Sequence, residues 1–82
     1  MNTQGLLTWL MNDKKMSKRA AKDVLSRCGR VYRILEIDHL DDRSLKSLQE
    51  AQEFKESSMF VKSQLKRTIT LCLEFMNMEE KE

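Results

Sequence analysis

The chain has 82 residues and a formal net charge of +2, with 40% hydrophobic and 34% charged residues, two glycines and no proline. That is the size of one domain, too small to enclose a deep, water-excluding active site, and it holds too little turn chemistry for a sheet. Charge is unevenly spread: residues 14–33 hold eight Lys or Arg against one Asp, residues 34–56 seven acidic against three basic, residues 57–73 three basic alone, and residues 74–82 are acidic again.

Four helices are expected, in a chain rich in Leu, Lys, Glu, Arg, Met, Ala and Gln, the good helix formers. The first runs from about Thr3 to Asn12 and carries Leu6, Leu7, Trp9, Leu10 and Met11. After the polar connection 13–16, Ser17 stands as an N-cap. The second helix spans about Lys18 to Glu36, with Ala21, Val24, Leu25, Cys28, Val31, Tyr32 and Leu35 inside roughly 120° of arc, the width of a core-facing stripe. Gly29 inside it either costs roughly 1 kcal/mol relative to Ala or marks a close helix contact.

Residues 37–40 lead to a third helix. Asp41 or Asp42 is its N-cap, favoured by the helix dipole, and Leu45, Leu48 and Ala51 form its inner face. Ser57 or Ser58 caps a fourth helix running to about Asn77. There Val61, Leu65, Ile69, Cys72 and Met76 recur at helical spacing, broadened by Phe60, Leu73 and Phe75. The segment 78–82 is expected to fray, leaving a single ordered domain over about residues 3–77. No apolar run reaches the roughly 18 residues of a membrane span, and the N-terminus lacks the pattern of a secretory signal.

The residues offer no catalytic constellation. His39 is the one histidine and stands between Asp38 and Leu40, which excludes a Ser-His-Asp or Cys-His arrangement built on any other His. Cys28 and Cys72 fit no metal-ligand spacing. They are expected as buried free thiols, which suits a reducing cytoplasm. Gly5 and Gly29 are isolated and form no phosphate loop, and Asp41-Asp42 is a helix cap rather than a catalytic carboxylate pair. No enzyme activity, cofactor or metal is expected.

The second helix points instead to binding. With Arg19 as zero on the helical wheel, Lys22, Arg30 and Arg33 fall within about 60° of it, and the apolar stripe is centred about 180° away. Lys18 and Arg27 flank this strip. Lys62 and Lys66, one turn apart behind the Ser57-Ser58 cap, form a second patch, and a hydroxyl-bearing helix start such as Ser58 is itself a phosphate site. A cationic strip of this kind tracks a phosphate backbone by releasing condensed counterions. The DNA-contacting set is therefore Lys18, Arg19, Lys22, Arg27, Arg30, Arg33, Ser58, Lys62 and Lys66.

From Met16 onward the order of residues resembles a known family. Residues 16–35, MSKRAAKDVLSRCGRVYRIL, resemble the first long helix of the core-binding domain of tyrosine recombinases, the phage integrases. The family's apolar positions fall on Ala20, Ala21, Val24, Leu25, Cys28, Val31, Ile34 and Leu35. LLTWLMNDKK looks like the family's opening helix, LKSLQEAQEF like its short third helix and ESSMFVKSQLKRTITLCLEFM like its last. The chain departs from the pattern at Ala20, Val24 and Thr68, where the family often has Thr, Tyr and Leu.

The resemblance implies a four-helix SAM-like bundle forming half of a clamp around double-stranded DNA, with the second and fourth helices on the duplex. The family's catalytic Arg, Lys, His and Tyr lie in a separate domain, so the chain is expected to be either the N-terminal piece of a longer recombinase or a prophage remnant. Its partners would be duplex DNA, a recombinase catalytic domain or other protomers, in a bacterial or phage-derived cytoplasmic setting. The alternative is a helical protein-interaction module, monomeric or dimeric, whose basic strip meets an acidic partner. A helix-turn-helix regulator is disfavoured because the region of the third helix is acidic.

Overall fold

Helices begin where a side chain takes up their first free amides. In the computed structural model, which describes the backbone of residues 2–81 and side chains through Glu79, the Asn2 side chain accepts from the Gly5 N–H at 3.0 Å and opens α1 (Thr3–Asn12). Ser17 accepts from the Ala20 N–H at 3.2 Å and opens α2 (Lys18–Leu35). Ser58 does the same for Val61 at 3.2 Å and opens α5 (Met59–Lys81). Between them lie α3 (Ser44–Glu50) and the single turn α4 (Gln52–Lys55). The architecture is all-helical, and no strand occurs among the described residues.

Glu36 leaves α2 in the left-handed region at φ 55°, so the helix stops at Leu35, one residue before the expected end. The Ile37 N–H then reaches back to the Tyr32 carbonyl at 3.1 Å, closing the end in a Schellman-type turn. Asp41 closes the turn ahead of α3: its carboxylate accepts from the Arg43 N–H at 2.8 Å, and its own N–H donates to Ser44 Oγ at 2.9 Å. Helix α3 itself starts only at Ser44 with Arg43 as its N-cap, so neither Asp41 nor Asp42 caps it as expected.

Five helices replace the expected four because the third is broken at Ala51, whose backbone is extended (φ −70°, ψ 137°). In one continuous helix Phe54 would point about 120° away from Leu48. The break turns Phe54 inward, where it is buried beside Leu48 in the same core. Helix α2 packs against α1, α3 and α5, and its largest interface is with α5. Leu6 and Leu10 of α1, Val31 of α2, Leu48 of α3, and Leu65, Ile69 and Cys72 of α5 are buried almost completely. Of the residues expected to meet in the core, Leu25, Tyr32 and Leu45 are only partly buried at its margin.

Three expectations are corrected. Phe60 does not join the core: it is 69% exposed and its neighbour Met59 77% exposed. It lies five residues before Leu65, about 140° around the helix. Gly29 marks no close contact, since a Cβ there would meet nothing within 4 Å. Helix α5 continues to Lys81 rather than ending near Asn77, and Glu82 lies outside the described residues. The added turn is held from α1: the Trp9 indole N–H points at Met78 Sδ, 2.9 Å away, and the Trp9 and Phe75 ring centroids are 5.6 Å apart.

The Tyr32 hydroxyl is buried without a hydrogen-bond partner. Burial, and after it the negative charge of a neighbouring Cys28 thiolate, pushes its pKa up from 10.0 to about 12.

Two predictions follow from this packing. Leu48→Ala should cost about 2–5 kcal/mol, which consumes most of the stability of roughly 3–5 kcal/mol available to so small a core; Phe60→Ser should cost less than about 0.5 kcal/mol. Urea unfolding followed by circular dichroism checks both. The fold prefers the neutral Tyr32 phenol, so its contribution to stability is complete below pH 10.0 and is lost as pH rises towards about 12. The phenolate absorbance of this single tyrosine should therefore appear late, and Tyr32→Phe should be neutral or stabilise by up to about 1 kcal/mol at pH 7.

Candidate nucleic-acid interface

Helix α2 buries Ala21, Val24, Cys28 and Val31, and that orientation leaves the opposite side in solvent. Lys18, Arg19, Lys22, Arg30 and Arg33 are all exposed there. Over the first two turns of α2, Lys18, Arg19 and Lys22 make no ion pair among the described residues, with Asp23 the one acidic residue of those turns. From Arg19 to Arg33 the strip is about 21 Å long at 1.5 Å per residue, equal to the axial rise of about six base pairs of duplex.

The far end of the strip is partly neutralised. Glu53, on α4, lies 3.1 Å from Arg33 Nη2, with a second, longer contact of 3.5 Å from Nη1, and 3.6 Å from Arg30 Nε. The hydrogen bond from Arg33 is the main reason that the exposed Glu53 carboxyl sits below its ordinary 4.5, with the charges of Arg33 and Arg30 adding to it. The fork of contacts is the one a guanidinium makes to a phosphate. Glu53 therefore occupies a position in which an external anion would meet both arginines.

Helix α4 also meets the second patch. Lys62 is half-buried with Nζ 5.8 Å from the Phe54 ring centroid. Its ammonium lies over that ring and is less free than the sequence suggested. Lys66 is exposed and makes no ion pair among the described residues. The Ser58 hydroxyl is already accepting from the Val61 N–H, so it serves its own helix first.

Arg27 is set apart from the strip. It is half-buried and lines a groove of about 270 Å³ between α2 and α5, which it shares with Asp23, Gln64, Arg67 and Thr68. Arg67 is the cation that the sequence reading missed. It follows Lys66 directly but is turned about 100° from it, towards α2. Thr68 lies buried at the groove wall, with Oγ1 donating to the Gln64 carbonyl at 2.9 Å, which satisfies the hydroxyl within its own helix. The groove thus joins the two basic helices through Arg27 and Arg67, with Asp23 as its one acidic group.

Other surfaces carry the opposite sign or little charge. A depression of about 730 Å³ is lined by Glu36, Asp38, His39, Asp41, Arg43 and neighbouring residues of the 35–47 region. His39 is exposed there, 3.3 Å from the Asp38 carboxylate. Lys14, close to the start of the strip in sequence, is engaged by Glu74 at 2.8 Å and by the Trp9 ring, 5.2 Å from its Nζ.

Compared with family models, with curated proteins and with solved structures, the chain matched none.

Proposed function

We propose that the chain is a non-catalytic module that holds double-stranded DNA, of the kind formed by the SAM-like core-binding domain of tyrosine recombinases. The observation that carries this reading is the exposed cationic side of α2, which stands opposite its buried stripe over about four turns. Arg67 of α5 faces it across the α2–α5 groove, and Lys66 is exposed on the same helix. Phosphates are the class of ligand that such a strip serves: they are regularly spaced, accept bidentate contacts from arginine and release counterions when neutralised. Contacts of this kind position a duplex without reading its sequence.

A second reading has one observation in its favour. Met59 and Phe60 stand exposed side by side at the start of α5, and paired apolar side chains in solvent are a feature of protein-contact surfaces. On that reading the module meets an acidic protein, and the basic strip supplies the rim.

Titration with a duplex distinguishes the two. On the DNA reading the chain binds weakly, at about 10⁻⁴–10⁻⁶ M, with a log–log salt slope of about −4 to −5. Charge reversal of Arg30 or Lys66 weakens binding without unfolding the chain, whereas reversal of Lys46 or Lys55 changes little. NMR shift changes gathered on residues 40–56, sparing α2 and α5, would refute the assigned face. No shifts at low salt would leave the protein-contact reading. Glu53→Gln provides a separate check. Removing the carboxylate frees Arg30 and Arg33 and should tighten duplex binding by about two- to fivefold, the scale of an exposed ion pair, with the gain shrinking as salt is raised.

A further inference from the structure

Cys28 and Cys72 stand 44 residues apart in sequence, yet the packing of α2 on α5 brings their sulfur atoms to 3.3 Å. Both thiols are free and buried. Closing them to a disulfide needs the sulfurs to approach by about 1.3 Å, to a bond length of about 2.05 Å. The two thiols are not equivalent. Cys72 is fully enclosed, whereas Cys28 forms part of the wall of a small cleft of about 140 Å³ lined by Thr3, Leu25, Gly29 and Tyr32. Gly29 helps keep that cleft open, since no side chain stands there. A molecule the size of water or hydrogen peroxide fits such a space.

We propose that Cys28 and Cys72 form a peroxide-reactive thiol pair, with Cys28 as the attacking sulfur and Cys72 as the resolving one, and that their product is a reversible disulfide tying α2 to α5. The hydrogen bond between them favours this order. Cys72 donates its S–H to Cys28 Sγ, which holds the Cys28 thiol below its ordinary pKa of 9.0 against the opposing effect of burial. The same bond, with burial, pushes the Cys72 thiol up. The thiolate is the nucleophile, so attack falls to the sulfur that is both more acidic and reachable.

In the first step Cys28 Sγ bonds to one peroxide oxygen, the O–O bond breaks, and the departing hydroxide takes a proton to become water. This leaves a sulfenic acid on Cys28. Cys72 Sγ then attacks Cys28 Sγ, the S–O bond breaks, and the hydroxyl leaves with the Cys72 proton as a second water. Two thiols lose two electrons, and one peroxide is reduced to two waters.

The test uses the purified 82-residue chain treated with hydrogen peroxide, unfolded in the presence of iodoacetamide and weighed. The proposal expects a loss of about 2 Da, the two hydrogens, with no alkylation and full reversal by dithiothreitol. It also expects the unfolding midpoint of the oxidised chain to rise by about 10 °C or more, because the link closes a long loop. In Cys72→Ala, dimedone should trap a sulfenic acid on Cys28, whereas Cys72 in Cys28→Ala should stay alkylatable only after unfolding and take up no dimedone. Two alkylatable thiols in the peroxide-treated wild type, or a disulfide found only between chains, would overturn the proposal whatever the variants do. Dimedone labelling of Cys72 as fast as of Cys28 would overturn the assigned order.

Discussion

The packing of α2 on α5 decides which side chains meet solvent and which meet each other. Helix α2 has one apolar arc, and once Val24, Cys28 and Val31 are pressed against neighbouring helices, its cations have no direction left but outward. The same contact turns Arg27 towards Arg67 across the groove and Cys28 towards Cys72 in the core. Three features that lie far apart in sequence therefore follow from one interface. A change that rotated α2 by a quarter turn would dismantle all of them, because 100° per residue carries each side chain to a different neighbour.

The short α4 matters more than its length suggests. An exposed face with this many cations repels itself, and the acidic middle of the chain is available to relieve that. The kink at Ala51 folds one turn back so that Phe54 enters the core and Glu53, its neighbour, faces Arg30 and Arg33. Burial of the aromatic ring is the larger energy: a buried Phe contributes about 1.5–3 kcal/mol, whereas an exposed ion pair is screened by solvent and contributes little. The ring thus fixes where the carboxylate stands, and the electrostatic contact follows from it. A contact so placed is easily surrendered, since releasing Glu53 does not require moving Phe54.

Features written at single positions or in one helical period were legible in the sequence. Ser17 and Ser58 cap where a hydroxyl precedes a periodic run, and Val24, Cys28 and Val31 lie on one arc because their spacing demands it. What escaped depends on tertiary contact. Ala51 is a good helix former, and no local signal announces a break there; the break exists because Phe54 gains more by burial than the helix loses by interruption. Glu53 could not be placed on the basic face without that break. Arg67 differs from Lys66 only in azimuth, which has meaning once the position of α2 is known. The segment after Asn77 reads as a frayed tail until Trp9 of α1 is seen to pack on Phe75 and to point its indole N–H at Met78.

Phe60 shows how far a periodic signal can be trusted. Counted by type, it strengthens the apolar stripe of the last helix; counted by angle, it falls outside the arc that Leu65, Ile69 and Cys72 define. Among the described residues, Phe60 and Met59 are the most exposed large apolar side chains. The two residues directly follow the Ser58 cap, at the end of α5 that also carries Lys62. A surface with exposed apolar side chains next to cations suits partners that are charged and partly apolar as well as bare phosphate. On the DNA reading, these side chains would meet sugar and base edges or a neighbouring protein rather than the phosphate line itself. That division of labour follows from their chemistry: phosphate contacts favour the cations of α2 and α5, while Met59 and Phe60 gain only where water is excluded.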